Sequence, residues 1–274
     1  MESDALPYVL FLVLVELALG ASMVMFAVDV RGKSSMGFVR ATTLMVPPVM
    51  GLALWLAFEL DGVAVNGYRL DTGPRDAVIV LLAVCTGLSV LYPTLLYRNR
   101  PRDGRAAAAL LAALALAVLV LLAVMLRLPA WSFGLVFVSL LVGTLALGLS
   151  AAGLSLGHWY LVTPRLPAQP LNEVTFSLLV LLLIQVVLLV LALVLPIDER
   201  PTGGRDVAIE ANRAFWLRVG VGLVFPLVLV WMAWSSSRIR SMMSATGLLY
   251  LVMGAILTGE LLARALLFDS GRVV

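Results

Sequence analysis

The sequence is poor in the residues from which most soluble active sites are built. One cysteine, Cys85, and one histidine, His158, occur in 274 residues, and charged residues make up only 13% of the chain. A single cysteine excludes a disulfide within the chain, and it excludes a cysteine-based metal or iron–sulfur site made by this chain alone. A single histidine excludes a bis-histidine haem, and so argues against a cytochrome b subunit and a haem–copper oxidase core. We therefore predict no metal site and no covalently bound cofactor.

The signature motifs of the common enzyme classes are also missing. The chain has no Walker A loop, no GxSxG, no HExxH and no pair of aspartate-rich motifs. This leaves hydrolase and ATPase activities without support, and the lack of a regular arginine ladder argues against a voltage sensor. We predict no complete catalytic site in this chain, so any enzymatic role would be that of a non-catalytic subunit.

Apolar residues dominate the composition. They make up 62% of the chain, with a mean hydropathy of +1.07, whereas soluble domains average about 45–50%. A membrane span needs about 20 mainly apolar residues, and backbone in lipid must satisfy its own hydrogen bonds, which favours helices. We predict an all-α transmembrane bundle forming a single domain, 1–274, within a lipid bilayer, and expect the run 106–128 to be the most lipid-exposed. The predicted spans are 7–29, 37–59, 76–97, 106–128, 131–157, 171–196, 214–235 and 243–267.

Charges in the loops sort by side. Alternate loops carry ten basic residues against three acids: Arg31, Lys33, Arg40, Arg98, Arg100, Arg102, Arg105, Arg165, Arg238 and Arg240. The other side carries seven arginines and eleven acids. The positive-inside rule then places both termini outside the cytoplasm, as in a multi-pass protein of a prokaryotic inner membrane. Because the arginines lie in short loops that set orientation, we predict no nucleic-acid partner.

Two glutamates lie inside apolar spans. Glu16 interrupts PYVLFLVLVELALGASMVMFAV, and Glu260 interrupts TGLLYLVMGAILTGELLARALLF. A charge at this depth costs roughly 2.5–3.5 kcal/mol on insertion scales, so it usually has a partner or a function. The orientation puts both glutamates in the outer half of the membrane, at the level of Arg218 and Arg264, and Arg264 follows Glu260 at the i+4 spacing of a helical ion pair.

Two interpretations of this group are open. In the first, Glu260–Arg264 and Glu16–Arg218 are structural pairs that hold the bundle together. In the second, one carboxylate is left partly unpaired and exchanges protons with a quinol or a translocated ligand.

Three further polar residues are secondary candidates. His158 lies in LSLGHWYLVTPRLP, where histidine beside tryptophan and tyrosine favours an interfacial anchor over a ligand-binding role. Glu173, at the start of the sixth span, favours a helix N-terminal role, with pairing to His158 or Arg165 as the alternative. Gln185 lies in the middle of that span, where a polar side chain usually bonds to a neighbouring helix or back to a backbone carbonyl.

Prolines interrupt three spans, at Pro47-Pro48, Pro93 and Pro226. Each removes a backbone hydrogen bond and predicts a kink. Such kinks are ordinary in membrane helices, and the alternative is that they act as hinges or line a cavity.

The last span resembles the final helix of NrfD/DmsC-type membrane anchors. The shared features are the Gly259-Glu260 step, Arg264 one turn later, the count of eight spans and the inferred orientation. The resemblance implies a subunit that takes electrons from quinol and passes them to an iron–sulfur or cytochrome partner, with quinone as the bound cofactor.

Our first hypothesis is therefore a quinol-interacting subunit in which Glu16 and Glu260 accept protons and Arg218 and Arg264 tune them. The alternatives are a proton-coupled transporter or channel for a small solute, and a structural or assembly subunit.

Overall fold

The computed structural model describes residues 5–60, 64–65, 68–126, 133–163, 166–194, 209 and 212–270. Within these ranges, eight helices or helix pairs are long and apolar enough to span a membrane. The helices are α1 (Leu6–Arg31), α2 (Met36–Thr43), α3 (Val46–Glu59), α4 (Arg75–Tyr97), α5 (Pro101–Met125), α6 (Phe133–Val162), α7 (Gln169–Val194), α8 (Arg213–Val219), α9 (Phe225–Arg238) and α10 (Met242–Ser270).

The prediction of an all-α bundle with eight spans is confirmed. The only strands in the described part of the chain are β1 (Ala64–Val65) and β2 (Tyr68–Arg69), which pair antiparallel between α3 and α4. Positions 127–128, 131–132 and 195–196, at the ends of three predicted spans, lie outside the described residues. Eight apolar helices of this length indicate a multi-pass membrane protein.

The helices α1, α6 and α10 form the centre of the bundle. Helix α1 packs against α3, α5, α6 and α10, and α10 also packs against α6 and α9. The approach of α1 to α6 is close because Gly20 faces Gly148 and the Thr144 carbonyl, so that a methyl group on either glycine would overlap the other helix's backbone. Small residues permit such contacts between membrane helices.

The outermost span is α7, which has the smallest buried share of the eight. The expectation that the run 106–128 would be most exposed is wrong, because Leu111, Ala115 and Leu119 of α5 are buried against neighbouring helices. A uniformly apolar helix gives no indication of whether lipid or protein covers it.

Two of the three proline sites interrupt regular helix. The second span breaks at Leu44–Met45, and Pro47-Pro48 fall in the first turn of α3. In the seventh span, a π-helical turn, Gly220–Val224, directly precedes Pro226. Pro93, in contrast, lies within α4, which continues to Tyr97.

Candidate functional site

The four predicted charges come together in one buried group, the glutamate–arginine cluster: Glu16, Arg218, Glu260 and Arg264. Their relative exposures are 0%, 3%, 1% and 2%. At about 1.5 Å rise per residue, Glu16 and Glu260 each lie about 15 Å from the start of α1 and the end of α10, respectively. The cluster therefore lies nearer the end of the bundle where α1 begins and α10 ends, which we call the acidic end after its loop charges. The opposite end, with the turn between α4 and α5, is the basic end.

The pairing within the cluster differs from the predicted one. Arg264 donates two hydrogen bonds to Glu16: Nη2 lies 2.5 Å from Glu16 Oε1, and Nε lies 3.2 Å from Oε2. The expected i+4 pair is present but longer, with Arg264 Nη2 3.5 Å from Glu260 Oε2. Arg218 Nη2 lies 3.6 Å from Glu260 Oε1. The main partner of Arg218 is therefore Glu260, whereas the sequence predicted Glu16. The reason is that α8 packs against α10, so Arg218 reaches the carboxylate that α10 carries.

Gln185 joins the cluster from α7. Its Nε2 donates a hydrogen bond to Glu260 Oε1 over 2.6 Å, while its Oε1 is buried without a hydrogen-bond partner. Of the two kinds of bond expected for this amide, the structure shows the one across helices, and the partner is one of the two glutamates.

Ser139 of α6 is a contact that the sequence did not suggest. Its Oγ accepts a hydrogen bond from Arg264 Nη1 over 3.2 Å, and its carbonyl accepts one from Nη2 over 3.4 Å. A single serine near the start of an apolar helix carries no signal for such a role, because hydroxyls at these positions usually bond their own helix.

Glycines provide the space that the charged side chains occupy. A methyl group on Gly143 of α6 would lie 2.8 Å from both Arg264 Nη2 and Glu260 Oε2. A methyl group on Gly259 would lie 2.6 Å from the Gly222 Cα and 2.7 Å from Arg218 Nη1. These three positions fit glycine because a side chain would push α6 or the π-helical turn away from α10.

Arg218 also compensates for a backbone defect. In a regular helix the Gly222 carbonyl would accept a hydrogen bond from residue 226, but Pro226 has no N–H to donate. Arg218 Nη1 instead donates to that carbonyl over 3.3 Å. One guanidinium group thus serves both Glu260 and the carbonyl freed at the π-helical turn, and its Nε remains buried without a partner.

An apolar cleft lies next to the cluster, toward the acidic end. It has a cavity volume of about 40 Å³, opens at its mouth, and is formed by α1, α3, α4, α5 and α10. Leu12 and Phe268 line it, and these residues are one helical turn from Glu16 and Arg264, respectively. Thr72 and Arg75 bring polar groups to the lining. The remaining lining includes Tyr8, Phe11, Ala57, Ile79, Leu122 and Met125.

His158 and Glu173 lie at the basic end, away from the cluster. His158 is exposed, and its Nδ1 lies 3.4 Å from the Tyr250 hydroxyl. Glu173 accepts hydrogen bonds from Lys33 Nζ at 2.6 Å and from Gln169 Nε2 at 2.9 Å. It lies in the second turn of α7, so its main contact is this ion pair and not a helix cap, and its other expected partner, Arg165, lies outside the described residues.

A third buried carboxylate lies at the basic end, and sequence reasoning missed it. Asp29 is 2% exposed, and it accepts a hydrogen bond from the Tyr92 hydroxyl at 2.8 Å. Arg105 Nε and Nη2 lie 3.2 Å and 3.1 Å from Asp29 Oδ1. We call these three residues the Asp29 site. In the sequence Asp29 resembles a loop charge, because it lies in the last turns of the first span, close to Arg31 and Lys33.

Comparison with known proteins gives no relative for this chain: no protein-family model, no curated protein and no solved structure matches it. The resemblance to NrfD/DmsC-type anchors therefore stays a prediction.

Proposed function

We propose that this chain is an integral membrane subunit that binds quinol and passes its electrons to a partner subunit carrying the redox centre, in the manner of NrfD/DmsC-type anchors. The observation that carries the proposal is the position of the apolar cleft one helical turn from Glu16 and Arg264. A cleft and a buried group of carboxylates at the same end of the bundle suit a ligand that is apolar and releases protons when it reacts.

The chemistry of a quinol matches both parts. Its ring and isoprenoid tail are apolar and suit the cleft, and its hydroxyl groups suit the polar atoms of Thr72 and Arg75. Oxidation to the quinone breaks two O–H bonds and releases two protons and two electrons. A carboxylate of the cluster accepts these protons one at a time, and the arginines balance the resulting changes in charge.

The electrons need an acceptor outside this chain. One histidine and one cysteine cannot ligate a bis-histidine haem or a four-cysteine cluster. The acceptor is therefore an iron–sulfur or cytochrome partner docked on the loops. This role places the protein in the cell membrane, as in a prokaryotic inner membrane, with both termini outside the cytoplasm.

Blocking the cleft tests the proposal directly. Ile79→Trp fills the cleft, whereas the control Ile184→Trp places the same side chain on the lipid-facing side of α7. We expect Ile79→Trp to weaken binding of a short-tailed quinol analogue at least tenfold in nanodiscs, and Ile184→Trp to leave binding unchanged. Equal binding by both variants and the unaltered protein would reject the cleft as the site.

Turnover of the native complex tests the cluster. We expect Glu16→Gln and Glu260→Gln to slow quinol oxidation in membranes that contain the redox partner. If both variants keep normal turnover but lose stability, the cluster is structural and takes no part in quinol oxidation. Purification of an intact complex that lacks any redox partner would also overturn the proposal.

A proton-coupled transporter is the second candidate, and the break in the second span favours it. The break at Leu44–Met45 borders a groove between α1, α3 and α6 that Thr42 and Met45 help to line. A broken helix beside a groove can act as a hinge in solute translocation. Solute-driven proton flux in liposomes that contain only this chain would support the transporter, and its absence across a panel of small solutes would reject it.

A further inference from the structure

The two glutamates of the cluster are held in different ways. Glu16 accepts two hydrogen bonds from Arg264, at 2.5 Å and 3.2 Å. Glu260 has two guanidinium neighbours, but neither is closer than 3.5 Å. Its shortest contact is with the neutral amide of Gln185, at 2.6 Å. Glu16 is therefore the tightly paired ion, and Glu260 is the loosely paired one.

An amide can serve a carboxyl group in both of its protonation states. Its NH₂ donates to a carboxylate, and its oxygen accepts from the O–H of a carboxylic acid. Turning the Gln185 amide about its last bond exchanges these two atoms, which are hard to tell apart by position alone. The oxygen that would then accept is Gln185 Oε1, which is buried and has no partner in its present orientation.

Glu16 has no comparable partner among the described residues. The hydrogen bonds that they give it all come from Arg264, and a guanidinium group donates but cannot accept. A proton on Glu16 would therefore break one of the two hydrogen bonds from Arg264 and leave a buried O–H group without an acceptor. A buried polar group without a hydrogen-bond partner is destabilising.

The charges around Glu260 come from every side of the cluster. Arg264 lies on its own helix, Arg218 approaches from α8, and Glu16 faces the cluster from α1. Helix α6 contributes Gly143 next to Glu260 Oε2, and Ser139 holds Arg264. With both glutamates ionised, the two negative and two positive charges balance. A proton on Glu260 raises the net charge of the cluster by one and removes the repulsion between the two carboxylates.

We propose that Glu260 is the group in this cluster that takes up and releases a proton, that Gln185 is its positioning residue, and that Glu16 stays ionised as the counter-ion of Arg264. The step adds H⁺ to one oxygen of the Glu260 carboxylate, and no electron moves. The inference rests on the proposed quinol function for the source of the proton, but protonation itself can be measured without quinol.

Infrared difference spectra between low and high pH test the assignment, with the full chain in nanodiscs. A carboxylic C=O band that is present in the unaltered protein and missing in Glu260→Gln belongs to Glu260. We expect this band to survive in Glu16→Gln and to shift in frequency in Gln185→Leu, because the hydrogen bond to the amide is lost. Gln169→Leu on the same helix is the matched control, since its amide contacts Glu173, and it should leave the Glu260 band in place.

Two results would overturn the assignment: a band that disappears in Glu16→Gln but remains in Glu260→Gln, or a band whose frequency is the same in Gln185→Leu as in the unaltered protein. The second result decides the question even if Glu16→Gln does not fold. An intact Glu260 band in a protein that binds no quinol would reject the proposed function and leave this inference standing.

Discussion

The glutamate–arginine cluster and the Asp29 site use the same helix in different ways. Both place a carboxylate of α1 beside an arginine from a distant part of the chain. In the cluster every charged side chain is buried, whereas the Arg105 side chain at the Asp29 site is 42% exposed. Arg105 can therefore keep part of its hydration while its stem covers apolar surface. Solvent can reach the arginine of the ion pair at the basic end, whereas only other protein groups stabilise the charges of the cluster.

This contrast predicts what each site tolerates. A buried charge that loses its partner must remain unpaired in a medium that cannot solvate it. A charge near a helix end can recruit water or a headgroup. The cluster should therefore respond strongly to any change of its members, and the Asp29 site should respond weakly.

Removing one arginine from each region is the strongest test. We expect Arg264→Leu to lower the free energy of unfolding by about 3–5 kcal/mol, because it leaves a buried ion without its partner. Arg105→Leu removes hydrogen bonds to one carboxylate, and we expect a smaller loss of about 1.5–3 kcal/mol. Unfolding of both variants in mixed micelles with increasing SDS measures the difference. Equal losses would mean that exposure of the arginine does not distinguish the two sites.

Adding a methyl group at the close approach of α10 to the π-helical turn should have the next largest effect. In Gly259→Ala the new Cβ would lie 2.6 Å from the Gly222 Cα, and overpacking of this kind typically costs about 1–3 kcal/mol. Gly254→Ala on the same helix is the matched control, because a Cβ there meets no atom within 4 Å. The control should change the free energy of unfolding by less than about 0.5 kcal/mol. A destabilised control, or an unaffected Gly259→Ala, would contradict the described packing.

The smallest predicted effect concerns the tyrosine of the Asp29 site. Tyr92→Phe removes one hydrogen bond to Asp29 while Arg105 stays in place, so we expect a loss of about 0.5–1.5 kcal/mol. Tyr97→Phe, one and a half turns further along α4 and exposed, is the control and should be neutral in the same unfolding assay. A loss above 3 kcal/mol for Tyr92→Phe would show that Asp29 depends on the tyrosine more than on the arginine.

The sequence predicted the number of spans and the common level of the four charges well. Runs of about 20 apolar residues and the uneven loop charges are properties of the chain itself, and depth along a helix follows from counting residues. The same counting places Glu16, Arg218, Glu260 and Arg264 at one depth in the membrane without any knowledge of their contacts.

Pairing could not be predicted in the same way. Which neighbour a side chain meets depends on how each helix is rotated about its axis and which helices touch. Nearly uniform apolar spans such as α5 and α7 carry little periodic pattern that would fix this rotation. For that reason the expected Glu16–Arg218 pair gave way to Glu16–Arg264, and the contact between Gln185 and Glu260 was not foreseen.

The Asp29 site was missed for a related reason. Its aspartate, tyrosine and arginine each look ordinary near a helix end, and only the fold brings Tyr92 of α4 and Arg105 of α5 to Asp29 of α1.

The ion pair between Arg264 and Glu16 joins residues 248 positions apart, and this separation has a consequence for biosynthesis. The first span is synthesised long before the eighth. During this interval Glu16 has no main counter-ion, because Arg264 has not yet been added to the chain. Release of a chain that stops before the last span would leave a carboxylate without its partner in hydrocarbon, which is costly and promotes withdrawal from the bilayer. We expect incomplete chains to be recognised and degraded by membrane proteases, so that the ion pair distinguishes a finished protein from an unfinished one.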